Sequence, residues 1–221
     1  YMKKIFKSSI GRKIAMALSG IFLIVFLTQH FLINITSVFS EDIFNMLSHF
    51  MGNNPLVQFI LQPVLIAGVL FHFVMGFVLE WQNRKARPVT YAMYKGSKNS
   101  MFVSRNMIIS GLVILSFLVL HFYDFWVPEM DYKYIKSLPE DPNRYYEELI
   151  EKFANPVRVG LYCLAFIFLA LHLVHCLSSS TQSLGTNNKY ARTIEKISYA
   201  FGIGIPLGFC FIALYHFFIH F

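Results

Sequence analysis

Five stretches of this chain, at about residues 14–39, 56–79, 106–127, 157–178 and 197–221, are almost uninterruptedly apolar. Each is long enough to cross a hydrocarbon core of roughly 30 Å as a helix, which takes about 20 residues. Inside a bilayer, backbone N–H and C=O groups find no water, so a span of this kind bonds its own backbone and is helical. The expected fold is therefore all-α: an integral membrane bundle of five transmembrane helices, one domain over residues 1–221. With 56% hydrophobic residues, the composition excludes an ordinary soluble domain. The first stretch is longer than the apolar core of a signal peptide and lacks a small-residue cleavage site, so it is expected to be a retained span.

Charge between the spans predicts orientation, because Lys and Arg are held on the cytoplasmic side. Lys3, Lys4, Lys7, Arg12 and Lys13 precede the first span. Arg84, Lys85, Arg87, Lys95, Lys98 and Arg105 lie between the second and third, and Lys189, Arg192 and Lys196 between the fourth and fifth. The other two connections are acidic on balance, with Glu41 and Asp42 in one and Asp124, Glu129, Asp131, Glu140, Asp141, Glu147, Glu148 and Glu151 in the other. The N-terminus is thus expected in the cytoplasm and the C-terminus outside. The net charge of +7 becomes a topology signal and a basic inner face for acidic partners or membrane lipids. No nucleic-acid motif accompanies it. Cys163, Cys176 and Cys210 form no CxxC or zinc pattern and read as buried thiols. Within the longest polar stretch, Asp141 is positioned to cap a short helix beginning near Pro142.

Histidines inside the spans carry the functional information. A helix rises 1.5 Å per residue, so His30 lies about 24 Å from the inner edge and His121 about 21 Å, both in the outer half. Counted from the inner ends of their spans, His72 lies about 10 Å deep and His172 about 8 Å, both in the inner half. The chain supplies one imidazole pair at each of two levels, each pair from two helices. Bis-histidine b-type haem needs this arrangement, since the iron has two axial positions on opposite faces of the porphyrin. Gly68 and Gly76 flank His72 by one turn, and Gly20 and Gly111 bring small residues to the inner level. His175 lies three residues after His172, about 60° around the helix from it, and reads as a non-ligand. His49, in an outer connection, and His216 and His220, near an interface where amphipathic rings are ordinary, read the same way.

At these residues the chain resembles the five-helix, di-haem cytochrome b membrane anchor of succinate dehydrogenases and fumarate reductases. The resemblance is carried by "SGIFLIVFLTQHFLIN", "LFHFVMGFVLEWQNRKARPVTY", "LVLHFYDFW" and "LALHLVHCLSSSTQSLG". It implies two b-type haems, a distal one on His30 with His121 and a proximal one on His72 with His172. It also implies menaquinone as membrane substrate, and partner subunits on the cytoplasmic side of a bacterial cytoplasmic membrane: a flavoprotein with FAD and an iron–sulfur subunit with its clusters. Two positions depart from the family pattern. Ala170 stands where some fumarate reductases carry a proton-conducting glutamate, and Cys176 where a glycine is common.

Quinone chemistry moves two protons with two electrons, so a titratable group is expected near the distal pair. Asp124 is the first candidate, with Glu41, Asp42 and His49 behind it. By depth, Arg12, Ser19, Arg105 and Arg158 are candidates for holding haem propionates. Two other classes compete: a di-haem anchor of another dehydrogenase, and a transporter or proton channel using a histidine relay. The second would be expected to show repeats, broken helices or a mid-depth carboxylate; Pro206 is the one feature of that kind.

Overall fold

The computed structural model describes residues 8–85, 107–183 and 191–220, and these are helical without strands. Five helical runs are long and apolar enough to cross a membrane: Ser9–Val38, Val57–Lys85, Met107–Ile135, Pro156–Thr181 and Arg192–His220. The first is α1 (Ser9–Ile35), begun by Ser8, whose Oγ accepts the Gly11 N–H at 2.9 Å, and ended by a 3-10 turn over Thr36–Val38. The short α2 (Glu41–Asn53) starts at Ser40, with Glu41 and Asp42 in its first turn, where negative charge suits the helix N-terminus. A wide turn over Val57–Leu61 leads into α3 (Gln62–Lys85). The third span contains α4 (Met107–His121). Then come α5 (Arg144–Phe153), α6 (Pro156–Ser183) and α7 (Ala191–His220).

All five runs extend past their apolar stretches at one end or both, because hydrogen bonding continues where hydropathy stops. The last turn of α3 is charged, yet Arg84 Nε donates to Glu80 Oε1 at 2.7 Å and Lys85 Nζ sits 5.5 Å from the Trp81 ring centre. The third span differs most from expectation, running to Ile135 rather than ending near 127. Pro128 lacks an N–H and its ring would collide with the carbonyl four residues back, which ordinarily stops a helix. Wide π turns over Phe122–Trp126 and Asp131–Ile135 absorb it, with one α turn over Val127–Met130 between them. The run stops at Ser137, at φ 48°, where Leu138 N–H reaches back to the Tyr132 carbonyl at 3.1 Å. Asp141 does supply an acceptor, taking the Asn143 N–H at 3.0 Å, but α5 begins at Arg144 rather than near Pro142. Pro206 leaves α7 unbroken.

The most extensive helix pair is α6 with α7. Gly202 makes it close: a Cβ there would lie 2.9 Å from the backbone nitrogen of Val174. α1 packs on α3, α6 and α7, and α4 on α6. α3 has no fully buried residue and lies at the bundle's edge. Val25, Leu70, Val119, Ile167 and Phe211 are exposed around the bundle, as lipid-facing side chains are.

One end of the bundle is capped. There α2 and α5 pack against each other and the spans, and Phe44, Leu149, Phe153, Tyr162, Phe166 and Phe209 close a shared core. Polar bonds tie the cap down: Asn45 Oδ1 accepts the Tyr146 N–H at 2.9 Å, and Lys133 Nζ donates to the Gly52 carbonyl at 2.7 Å. Glu129 is paired with both Lys133 and Arg144, and Arg144 also bonds Glu148 at 3.0 Å. Burial opposes the Arg144 charge, but Glu129 and Glu148 outweigh it and hold its pKa above the usual value. Burial, only partly offset by Arg144, raises the Glu148 carboxyl. Burial and then the Glu129 charge raise the Tyr145 hydroxyl, which donates to Glu129 at 2.9 Å. The opposite end carries Arg12, Lys13, Arg84, Lys85, Arg192 and Lys196, and is the basic end.

Candidate functional site

The four span histidines meet in two pairs. His30 of α1 and His121 of α4 lie with ring centroids 5.8 Å apart toward the capped end, and His72 of α3 and His172 of α6 at 6.3 Å toward the basic end. Each pair joins helices that are not consecutive in the chain, so the pairing is a product of packing.

In the pair nearer the basic end, each imidazole is held by a serine from a third or fourth helix. Ser19 Oγ of α1 lies 3.0 Å from His72 Nδ1, and Ser110 Oγ of α4 lies 3.3 Å from His172 Nδ1. Each serine commits its single proton to a backbone carbonyl, Ser19 to Met16 at 2.8 Å and Ser110 to Met107 at 2.9 Å. Toward the imidazole each serine therefore accepts, so both histidines carry their proton on Nδ1 and keep a bare lone pair on Nε2. That is the tautomer a metal requires when the outer nitrogen is fixed by a hydrogen bond. Gly20 lies against the same ring: a Cβ there would touch His72 Cε1 at 3.6 Å.

The pair nearer the cap sits instead among aromatic rings. Phe26 stacks on His30 at 5.6 Å and Phe117 on His121 at 5.7 Å, with Phe125 and Phe209 at 5.2 and 5.7 Å from His121 and His30 respectively. Asn34 Nδ2 donates to the His30 carbonyl at 2.8 Å and straddles the ring edge, 3.3 Å from Nδ1 and 3.5 Å from Nε2, so it selects neither nitrogen. His121 Nδ1 is buried with no hydrogen-bond partner among the described residues.

These residues fit a bis-imidazole haem. Two metal–nitrogen bonds of about 2 Å each, plus the distance from each nitrogen to its ring centre, bring the centroids to about 6 Å, close to both observed separations. The Nε2 lone pairs left by Ser19 and Ser110 supply the donors. One further donor stands beside the second pair: the ligating atoms of His72, His172 and Cys176 lie within 4.8 Å of one another. His175 is not part of that group.

The remaining candidates fall into three groups. Asp124 and Arg158, expected to serve a quinone and a propionate separately, are joined to each other: Asp124 is 1% exposed, forms an ion pair with Arg158 and accepts the Tyr162 O–H at 2.8 Å. With Tyr123, Trp126, Asp131 and Lys152 they border a cleft of about 580 Å³ at the capped end. Glu41 and Asp42 are exposed on α2. His49 bonds the Asp141 and Pro142 carbonyls through Nε2 at 3.0 and 3.2 Å and meets the Tyr145 ring edge-on at 4.8 Å, which makes it a tie between α2 and the start of α5 with the loop before it. Arg12 is at the basic end, Ser19 is against His72, and Arg105 lies outside the described residues.

His216 departs from the sequence reading. It is not an interfacial ring but is 0% exposed, because α7 turns it inward against the end of α1 and against Tyr146 of α5. Ser110 was missed, and Ser19 was given another role, although the signal was present. "SGIFLIVFLTQH" and "SGLVILSFLVLH" both place Ser eleven residues and Gly ten residues before the histidine. Eleven residues bring a helix back to nearly the same face, about 16 Å along its axis. Each of these helices thus offers a ligand at one level and a supporting hydroxyl at the other.

No family model, no curated protein and no solved structure matches this chain.

Proposed function

We propose that this chain is the di-haem cytochrome b membrane anchor of a succinate:quinone oxidoreductase, working as succinate dehydrogenase or fumarate reductase. The observation that carries the proposal is the two-level pairing of four imidazoles on four helices, with the Nδ1 protons of one pair fixed by serines. His72 and His172 would hold the haem nearer the basic end, and His30 and His121 the one nearer the cap. When bound, each haem supplies reversible one-electron chemistry at its iron.

The chain's own residues do the rest. Ser19 and Ser110 hold the imidazoles in the Nε2-donor tautomer and make them more basic ligands. The phenylalanines around His30 and His121 exclude water from those rings. The basic end, taken as cytoplasmic, would dock the iron–sulfur subunit and, through it, the flavoprotein with its FAD. Menaquinone is the proposed membrane substrate, and the cleft beside Asp124 suits its head: Tyr123 and Trp126 offer aromatic faces, and the Arg158 guanidinium, held by the buried Asp124, offers a donor for its carbonyl oxygens. The setting would be a bacterial cytoplasmic membrane, with this multi-pass chain as its anchor.

Affinity purification through this chain from detergent-solubilised membranes tests the assignment. A covalent-flavin subunit and an iron–sulfur subunit should co-purify, and succinate should reduce the haems. Two haems with neither subunit present would keep a cytochrome and refute the succinate assignment.

A further inference from the structure

We infer that His72, His172 and Cys176 are a binding site for a soft divalent cation of the zinc class, filled in the chain before haem takes the same two imidazoles. The mutual exclusion of ion and haem rests on the reading of the chain as a cytochrome. The ion site itself rests on the geometry of these three side chains.

One ring nitrogen from each of His72 and His172 and the Cys176 sulfur lie within 4.8 Å of one another. Two helices bring them together. His172 and Cys176 are four residues apart on α6, one turn along the same face, and His72 meets them from α3. Around a tetrahedral ion, metal–nitrogen bonds of about 2.0 Å and a metal–sulfur bond of about 2.3 Å set such atoms about 3.3–3.6 Å apart. Closing on an ion therefore takes a contraction of at most about 1.5 Å, which side-chain rotation supplies. The imidazoles are prepared for it independently of the thiol. Ser19 and Ser110 occupy the two Nδ1 atoms at 3.0 and 3.3 Å, so the nitrogen free to bind a metal is Nε2 in both rings. Gly20 keeps space beside His72: a Cβ there would lie 3.6 Å from His72 Cε1 and 3.8 Å from Ser180 Oγ. Ser180, one turn beyond Cys176 on α6, brings a hydroxyl to that side of the ring, and with no side chain at Gly20 a water has room there as the fourth ligand.

The donor set decides the class of ion. A thiolate with two neutral imidazoles suits zinc-like ions, whereas Mg2+ and Ca2+ take oxygen ligands, and none of these three donors is an oxygen. The sulfur ligates as thiolate, so binding releases the Cys176 proton to water, and no electron is transferred. The thiolate charge offsets half the charge of the ion, which lowers the cost of holding it within a span. The site also has a mechanical consequence. α3 packs on α1 and more lightly on α4, and none of its residues is fully buried. An ion held by His72 and by two residues of α6 clasps this edge helix to the bundle. Haem ligation would use the same two Nε2 lone pairs, so ion and haem exclude each other at this level. His30 and His121 belong to no such three-donor group among the described residues and stay free for haem.

The test uses the full chain, purified in detergent from cells denied haem, with Co2+ as a coloured substitute for Zn2+. The unaltered chain should bind Co2+ with a near-ultraviolet sulfur-to-cobalt band, and an equivalent of Zn2+ should bleach it. Cys176→Ser should lose that band and bind Co2+ about tenfold or more weakly, while His175→Ala keeps both the band and the affinity. His72→Ala, on the edge helix, covers the case in which Cys176→Ser fails to fold, and should also weaken binding about tenfold or more. Addition of haem should release the cobalt. No band in a folded unaltered chain, a band that survives Cys176→Ser, or a chain that fails to fold without haem even when Zn2+ is supplied would overturn the site. Cobalt retained beside two haems would overturn the exclusion. Absence of haem from the chain grown with haem would instead overturn the cytochrome reading while the cobalt band remained, so the failures are distinct.

Discussion

Replacing Arg158 with methionine isolates a charge pair that joins the third span to α6. Asp124 has a side chain 0% exposed and, among the described residues, two partners, the Arg158 guanidinium and the Tyr162 hydroxyl at 2.8 Å. Arg158→Met leaves the carboxylate buried with a single neutral donor, and breaking a buried pair from one side costs about 3–5 kcal/mol. For a chain of this length that lowers the melting temperature by about 10 °C. Asp124→Asn is milder, because the amide still accepts from Tyr162 and Arg158, whose side chain is 27% exposed, can turn toward water. The double variant carries no stranded charge and should be more stable than the sum of the singles predicts, by about 2 kcal/mol. Reversible unfolding in mixed micelles, followed by circular dichroism for all four proteins, measures the cycle. Single effects that add within about 0.5 kcal/mol would show that the two groups do not share one buried site.

Ser19→Ala removes the acceptor from His72 Nδ1, so the ligand becomes less basic; a redox titration should show two haems, one moved to higher potential and one unchanged. Gly202→Ala should destabilise the chain by about 1–3 kcal/mol, since the new methyl meets the Val174 backbone. Gly204→Ala, whose methyl would meet nothing within 4 Å, should not, and thermal melts of the two side by side check this. Glu148 has its carboxyl raised by burial, so its contribution is greatest below the usual glutamate range and is lost as pH rises through the raised value. Glu148→Gln should therefore melt no lower than the unaltered chain at pH 7 and lose its relative advantage on acidification; a variant less stable at pH 7 than at acid pH, relative to the parent, would contradict this.

Hydropathy made the five spans legible because a bilayer constrains every backbone polar group in them. It located their ends poorly, since the last turns of α3 and the stretch from Pro128 to Ile135 are held by local bonds and wide turns that apolar content does not register. Counting residues from the span edges was enough to pair His30 with His121 and His72 with His172 as neighbours, because rise per residue is nearly constant in a helix. Rotation about the helix axis was not legible to the same degree. Whether Asp124 faces Arg158, and whether His216 points at Ser37 or at lipid, depends on how α4, α6, α7 and the end of α1 are turned against one another. The recurring Ser and Gly ahead of His30 and His121 did encode one such rotation, in a pattern of eleven residues rather than four or seven.

The central claim is that four imidazoles at two levels bind two haems. Reduced-minus-oxidised visible spectra of the purified chain, with haem quantified per polypeptide, test it most directly when run beside His72→Ala and His175→Ala. The account predicts two b-type haems per chain, one after His72→Ala and two after His175→Ala. No haem in a folded chain from haem-replete membranes, or both haems surviving His72→Ala, would contradict it.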